Sequence, residues 1–210
     1  LVPHGLYPFS GAMACVSKMV DVFPGMRMIV ASAGLRVPLI RNLMGWIGCI
    51  AADKSSIAAA IRGGDSVCVM PGGIAEMVET DASAERLILQ GRQGFVRMAL
   101  EHGVPIVPVY VFGSSVLWSQ LPLPAWVRAL SRAIRASLIL PYGRFGLLVP
   151  RKLPLLYAVG RPIECPGAGG EAPTPEQVAA AHSAVVSQVQ ELYHTFKAAY
   201  GWQGRRLVID

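Results

Sequence analysis

A short apolar strand that runs directly into a glycine turn constrains the fold of this chain more than any other feature. Residues 66–70 (Ser-Val-Cys-Val-Met) have the length and composition of a buried strand, and Pro71-Gly72-Gly73 follows at once. The preceding residues 55–62 predict a helix that is capped near Ser55-Ser56 and stopped by Gly63-Gly64. A helix, a buried strand and a glycine turn in this order are typical of α/β proteins, in which functional sites lie at strand ends.

The same alternation of helices and strands continues on both sides of this turn. The sequence predicts helices over residues 10–20, 36–44, 92–102 and 175–200, the third closed by Gly103 and the fourth begun by Thr174-Pro175-Glu176. It predicts strands over residues 27–33, 47–52, 104–112 and 155–160. With no internal repeat, the expected fold is α/β, a mixed sheet flanked by helices, in a single domain over residues 1–210.

The composition is apolar and the charge is unevenly placed. Apolar residues make up 53% of the chain and charged residues 15%, against about 25% charged residues in a typical soluble domain. The uncharged apolar run 43–52 is about half of a membrane span, so we expect no complete transmembrane helix but a surface able to lie against a membrane.

Between Glu101 and Glu164 the chain has no acidic residue and seven basic ones. Such a tract attracts the phosphates of lipids or coenzyme A; nucleic acid is not favoured, because no aromatic–basic interleaving accompanies it.

Residues 126–140 form a basic amphipathic segment within this tract. Val127, Leu130, Ile134 and Leu138 share one helical face, and Arg128, Arg132 and Arg135 share another. An ordinary surface helix would also show this pattern. The acid-free surroundings favour an interfacial helix, with the arginines at lipid phosphates and Trp126 at headgroup depth.

The four cysteines show no metal-binding or redox spacing. Cys15, Cys49, Cys68 and Cys165 contain no C-x-x-C pair, so we interpret them as buried free thiols in a reducing compartment and expect no metal site. The sequence opens on Leu1 and not on methionine, which fits an upstream targeting or anchoring segment.

Two side chains carry the expected chemistry. His4, between Pro3 and Gly5, is suited to general-base work near neutral pH. Glu76 follows Gly72-Gly73, whose backbone N–H groups can face a developing oxyanion, and a carboxylate near His4 would stabilise its imidazolium. Taken singly, His4 is more typical of a loop histidine, and for Glu76 the alternative is a solvated loop carboxylate beside Glu79 and Asp81. The other histidines are interpreted as surface or capping residues: His102, His182 and His194.

Several segments, in order, resemble the diacylglycerol acyltransferase type-2 family, which includes monoacylglycerol acyltransferases and wax synthases. They are Pro3-His4-Gly5, Phe23-Pro24-Gly25, Pro71-Gly72-Gly73-x-x-Glu76, Arg92-Gln93-Gly94-Phe95-x-x-x-Ala99-Leu100, Gly103-x-x-x-Val107-Pro108, Phe112-Gly113, Gly143–Gly146 and Val159-Gly160-Arg161-Pro162-Ile163. Residues 63–73 and 104–109 also resemble two blocks of the wider glycerolipid acyltransferases, which implies a glycerolipid-acyltransferase-like mixed sheet.

The resemblance implies roles for individual residues. His4 matches the presumed catalytic base, Glu76 the family's glutamate, and Arg92, Gly94 and Phe95 the start of the motif helix. Gly5, Gly72 and Gly73 then belong to the oxyanion and substrate region. Coenzyme A phosphates need cations, and the candidates are Arg92, Arg97 and the basic tract 128–152. The family acts at the cytosolic face of the endoplasmic reticulum or at lipid droplets, with acyl-CoA as co-substrate and no metal or redox cofactor.

Three features depart from the family pattern. Val2 stands where the family has a first histidine, and Ser114-Ser115 replace the acidic residues usual after Phe-Gly. The hydrophobic membrane hairpin that usually precedes the His4 block does not occur in this sequence.

The predicted function is acyl transfer from acyl-CoA to a neutral lipid hydroxyl, chiefly diacylglycerol to give triacylglycerol; monoacylglycerol, a fatty alcohol or a sterol stays open as acceptor. A lysophospholipid acyltransferase is the close alternative, but it would carry Asp five residues after the histidine, where this chain has Phe9. The second alternative function is that of a non-catalytic, membrane-associated lipid-binding homologue. Expected partners are acyl-CoA, a neutral glycerolipid, a membrane surface and a second copy in a homo-oligomer.

Overall fold

The computed structural model describes residues 19–23, 25–32, 34–36, 38–72, 84–121, 141–147, 149–167 and 171–210. These residues fall into two compact units, divided between Met70 and Pro71. The predicted basic segment 126–140 lies outside the described residues. So do the site candidates His4, Gly5, Gly73, Glu76, Trp126, Arg128, Arg132 and Arg135. The expectation of a single domain stays a prediction.

The amino-terminal unit is a small parallel sheet with helical connections. Its elements are α1 (Met19–Val22), β1 (Arg27–Val30), a 3₁₀ turn (Gly34–Arg36), α2 (Pro38–Trp46), β2 (Ile50–Ala51), α3 (Lys54–Arg62) and β3 (Val67–Cys68). β1 is the central strand, parallel to β2 on one side and to β3 on the other. Met28 of β1 is fully buried, so the apolar pattern of this strand places the core of the unit.

The start of α3 differs from the prediction by its capping residue. Asp53, and not the Ser55-Ser56 pair, is the N-cap, and its side chain accepts a hydrogen bond from Ser56 N at 2.8 Å. The hydroxyls of Ser55 and Ser56 also donate to this carboxylate, which accepts several hydrogen bonds where a serine oxygen accepts fewer. The predicted stop at Gly63-Gly64 is confirmed.

The carboxy-terminal unit contains three strand pairs and a long helix. Its elements are β4 (Ala84–Leu87), α4 (Gly94–His102), β5 (Val109–Phe112), a 3₁₀ turn (Ser114–Val116), β6 (Ser119–Gln120), β7 (Pro141–Tyr142), a 3₁₀ turn (Arg144–Gly146), β8 (Leu156–Val159), α5 (Pro175–Phe196) and β9 (Arg206–Ile209). β4 and β9 are parallel, whereas β5–β8 and β6–β7 are antiparallel. The predicted mixture of helices and strands is thus confirmed, and the described strands form four small sheets.

The predicted strand over residues 104–112 is shorter than expected. Only Val109–Phe112 forms a strand, and Ile106 makes an isolated bridge to Ile163. Pro105 and Pro108 interrupt the ladder because neither has an N–H to donate.

Helix α5 has the start that the sequence predicts. Thr174 accepts from Gln177 N at 3.3 Å, and Gln177 Oε1 accepts from Thr174 N at 2.9 Å, which forms a capping box with Pro175 in the first turn. The helix ends at Phe196, four residues before the predicted end, and Gly201 (φ +87°) follows. It packs on α4, β5 and β8, and its Val185 and Tyr193 are fully buried in the core. No helix within the described ranges has both the length and the apolar character that crossing a membrane requires.

Gly113, directly after β5, is enclosed by two other segments. Its φ is +89°, and a Cβ built on it would collide with Tyr200 Oη and lie 2.7 Å from Pro154 O. Tyr200 Oη donates a hydrogen bond to Pro154 O at 2.7 Å across this glycine. Both the backbone conformation and the lack of space therefore require glycine.

We expect Gly113→Ala to lower the free energy of unfolding by about 3 kcal/mol, from the left-handed backbone and the collision together. Gly201→Ala is the matched control, because Gly201 has nearly the same φ but a Cβ on it meets no described atom within 4 Å. It should cost about 1 kcal/mol. Urea denaturation of both variants measures the difference, and equal losses would contradict the enclosure of Gly113.

Candidate functional site

The described site candidates lie in the turn after β3 and at the start of α4. Gly72 is buried in the Pro71-Gly72 turn. Arg92 is exposed, Gly94 is the first residue of α4, and Phe95 is half-buried with its ring 6.3 Å from that of His182. Helix α4 begins at Gly94, two residues later than predicted, so Gly94 and Phe95 lie in its first turn and Arg92 lies just before the N-cap residue Gln93.

Backbone contacts with distant segments hold this helix start. Leu89 N and Gln90 N both donate to Asp210 O, at 2.7 and 2.8 Å, and Arg92 N donates to Leu89 O at 3.0 Å. His182 Nε2, on α5, donates to the same Leu89 O at 2.9 Å. The last described strand and the long helix therefore fix where α4 begins.

His182 corrects a prediction, because it is buried and not a surface or capping residue. It is 7% exposed, and its ring packs near Phe95 while its Nε2 satisfies a backbone carbonyl. The α5 periodicity indicates this position, since His182 lies four and three residues from buried Val178 and Val185. His194 is exposed and His102 half-buried, which fits the prediction for these two.

The helix start presents positive charge and unshielded backbone to solvent. Arg92 and Arg97 are both exposed. A Cβ built on Gly94 meets no described atom within 4 Å, so the packing of the described residues does not demand glycine there. Backbone N–H groups at a helix N-terminus, with guanidinium groups beside them, can bind an anionic group.

A buried carboxylate at Glu85 lies within the same unit, and sequence reasoning missed it. Glu85, on β4, is 6% exposed. Its Oε1 accepts a hydrogen bond from Ser115 Oγ at 2.7 Å and forms an ion pair with Arg205 Nη1 at 3.1 Å, while its Oε2 accepts from Tyr110 Oη at 3.2 Å. The one available signal was a charged pair, Glu85-Arg86, inside the otherwise apolar stretch 84–89.

The partners of Glu85 are themselves held by aromatic rings. The Arg205 guanidinium carbon lies 4.5 Å from the centre of the Trp202 ring. Burial, together with the nearby charge of Glu85, raises the pKa of Tyr110 well above its usual value, so this hydroxyl stays a donor. The Tyr193 ring packs edge-on against Tyr110, and its buried Oη has no hydrogen-bond partner among the described residues.

This carboxylate lies at the turn where the sequence lacks its expected acidic residues. Ser114 and Ser115 follow Phe112-Gly113, and Ser115 Oγ contacts Glu85 directly. A carboxylate therefore lies beside this turn, although it comes from β4 and not from the turn itself.

The described cysteines fit the prediction of reduced thiols. Cys68 and Cys165 are buried, Cys49 is half-buried, and all three are free. Burial raises the pKa of each thiol, which keeps the thiol protonated at neutral pH. Within the described ranges, no three His, Cys, Asp or Glu side chains converge where a metal ion would bind.

Comparison with known proteins assigns the chain to a family. The family model described as diacylglycerol acyltransferase matches residues 1–210. The chain is 31% identical over 219 residues to mouse 2-acylglycerol O-acyltransferase 1, covering 95% of this chain and 64% of the relative.

The chain belongs to the diacylglycerol acyltransferase family.

Other relatives in this family differ in the acceptor that they are named for. Human acyl-CoA wax alcohol acyltransferase 2 is 31% identical, covering 95% of this chain and 65% of the relative. Diacylglycerol O-acyltransferase 2A of Umbelopsis ramanniana is 28% identical, covering 94% and 61%. The chain thus spans less than two thirds of the length of these curated relatives. No solved structure matches it. The predicted family membership is confirmed.

The pKa of Glu85 makes the free energy of unfolding depend on pH. Burial raises the pKa of Glu85 above the ordinary value of 4.5, against the opposing effects of Ser115, Arg205 and Tyr110. A carboxyl with a raised folded-state pKa contributes less to stability as the pH rises from its ordinary value through its folded value.

We therefore compare the free energy of unfolding of the wild type with that of Glu85→Gln. The wild-type value minus the variant value should fall as the pH rises from the ordinary pKa of the carboxyl through its folded-state pKa, with a slope of at most about 1.4 kcal/mol per pH unit. Chemical denaturation of both proteins at a series of pH values measures this difference. A difference that increases with pH would show that Arg205 outweighs burial.

Proposed function

We propose that this chain carries out acyl-CoA-dependent O-acylation of a neutral lipid hydroxyl, with diacylglycerol as acceptor and triacylglycerol as product. The match of the family model to all 210 residues carries this proposal. Its relatives are named for 2-acylglycerol, wax alcohol and diacylglycerol acceptors, which share an uncharged hydroxyl group. Phe9, five residues after His4, argues against a phosphorylated acceptor, because that position lacks the expected Asp.

In the proposed mechanism, His4 removes the proton from the acceptor hydroxyl as its oxygen attacks the thioester carbon. Backbone N–H groups of Gly72 and Gly73 stabilise the tetrahedral oxyanion, and Glu76 stabilises the imidazolium of His4. The C–S bond then breaks, and the coenzyme A thiolate takes up the proton that the imidazolium releases. The step needs no metal or redox cofactor.

The start of α4 is the proposed binding site for acyl-CoA. Exposed Arg92 and Arg97 supply charge for its phosphates. Gly94 supports this assignment, because glycine at an exposed helix start weakens the helix and no described contact requires it. Close approach of a substrate to the backbone would explain the residue.

The fold and location that accompany this activity are also proposals. They comprise a glycerolipid-acyltransferase-like mixed sheet, a site at the cytosolic face of the endoplasmic reticulum or at lipid droplets, and contact of Trp126, Arg128, Arg132 and Arg135 with the membrane. A lipid environment would hold the acceptor and exclude the water that hydrolyses a thioester.

We expect His4→Ala to lower acceptor-dependent release of coenzyme A from oleoyl-CoA by about 10²–10⁴-fold, since the base is lost, with acyl-CoA binding changed by no more than a few fold. His194→Ala, an exposed residue on α5, is the control and should keep full activity. Diacylglycerol, monoacylglycerol, lysophosphatidic acid and a long-chain alcohol are compared as acceptors. Turnover retained by His4→Ala would remove His4 from the mechanism.

The variant Gly94→Ala should weaken the binding of acyl-CoA without lowering the free energy of unfolding. The added methyl group should keep stability equal or raise it by up to about 1 kcal/mol, and should raise KM for acyl-CoA about tenfold by blocking close approach. Gly91→Ala is the matched control, because its Cβ also meets no described atom within 4 Å. Unchanged KM for acyl-CoA would contradict a binding site at the helix start.

A further inference from the structure

The loop after β7 exposes several large apolar side chains to solvent. We call its described residues, 143–147 and 149–153, the Phe145 loop. Within it, Phe145 is 79%, Leu147 60%, Val149 43% and Leu153 40% exposed. Four such side chains in one short loop exceed the scattered apolar residues that a protein surface normally carries.

The backbone of this loop is fixed by its own hydrogen bonds. Gly143 N donates to Leu147 O and Arg144 N to Val149 O, both at 2.8 Å. Gly143 is required at this turn, because a Cβ on it would collide with Val149 O. The exposed side chains therefore project from an ordered backbone.

Arg151 ties the base of the loop to residues 116–119, which lead into β6. Its N donates to Leu117 O at 3.0 Å, its Nη1 to Val116 O at 3.0 Å and its Nη2 to Ser119 Oγ at 2.7 Å. This arginine serves the structure of the loop, and so the positive charge available at the surface comes from other residues.

Phe145 combines exposure with an unfavourable backbone conformation. Its φ is +59°, which makes it the only non-glycine residue with positive φ in the described part of the chain. A bulky side chain in this region costs free energy, and residues held in such conformations cluster at functional sites. Here the residue with this conformation is an aromatic one that is 79% exposed.

Two exposed cations flank the apolar tip. The Arg144 guanidinium carbon lies 4.7 Å from the centre of the Phe145 ring, and Lys152 is exposed at the other end. Between Glu101 and Glu164 the sequence has no acidic residue that would oppose them. An aromatic and an aliphatic side chain beside Arg and Lys match the boundary between acyl chains and anionic headgroups.

We propose that the Phe145 loop docks on a lipid surface, with Phe145 and Leu147 inserted among the acyl chains and Arg144 and Lys152 at anionic headgroups. The proposal deepens the proposed function, because a neutral lipid acceptor resides in such a phase. Binding to vesicles needs neither acyl-CoA nor acceptor, however, so failure of acyl transfer would leave this measurement unaffected.

The test is co-sedimentation of the full chain with vesicles of phosphatidylcholine and phosphatidylserine. The double variant Phe145→Gly, Leu147→Ser should bind at least about tenfold more weakly. Glycine suits the positive φ of this position, so the thermal midpoint should stay the same or rise. Phe196→Ser, at the exposed end of α5, is the matched control and should bind like the wild type.

A second pair of variants separates local charge from net charge. Arg144→Gln with Lys152→Gln should weaken binding by about fivefold per removed charge at low salt. The effect should shrink with added salt and disappear on pure phosphatidylcholine. Lys54→Gln with Arg62→Gln removes the same net charge from exposed positions on α3 and should not weaken binding.

Undiminished vesicle binding by the Phe145→Gly, Leu147→Ser variant would overturn the proposal. If that variant instead loses self-association in sedimentation velocity while it still binds vesicles, the loop is an interface between copies. A loss of vesicle binding in the Phe196→Ser control as large as that in the double variant would also overturn the docking proposal.

Discussion

A carboxylate inside the carboxy-terminal unit is the constraint around which that unit is organised. Removing Glu85 from water is costly, and the structure offsets this with an ion pair and two hydrogen bonds from other segments. Tyr110 belongs to β5, Ser115 to the turn after it, and Arg205 to the segment that leads into β9. The carboxylate of Glu85 on β4 therefore links segments that are distant in sequence. Aromatic residues of the core pack around this network of hydrogen bonds and the ion pair.

The same segments position the start of α4. β9 lies parallel to β4, and the carbonyl of Asp210 accepts from two N–H groups just before α4. His182 fixes the neighbouring carbonyl from the long helix. The start of α4 is thus supported from two sides by elements that carry none of its proposed chemistry. This arrangement is typical of sites in which rigid elements hold a substrate-binding backbone.

Local signals predicted the helices well and the long-range contacts poorly. Thr174-Pro175 with Gln177, and Gly103 after α4, are capping patterns contained within a few residues, so the sequence was sufficient. β4 and β9 were not predicted, because the stretch Ala-Glu-Arg-Leu becomes a strand only through its partner far along the chain. Asp53 as the cap of α3, the buried His182 and the buried Glu85 likewise depend on three-dimensional neighbours. For the site, the sequence motif predicted a helix start near Gly94 and Phe95, whereas the roles of Arg92, Gly94 and Phe95, like those of His4 and Glu76, stay predictions.

The pairing of β4 with β9 has a consequence for how the protein is made. Arg86 and Asp210, which bond at the edge of this pair, are separated by 124 positions in sequence. β4 therefore leaves the ribosome long before its partner β9 is synthesised, and until then it lacks this paired strand. Parallel strands that close over so long a loop form slowly, because the chain entropy is lost before the contact stabilises it. The nascent chain accordingly passes through a period in which a chaperone or a nearby lipid surface would protect it from aggregation.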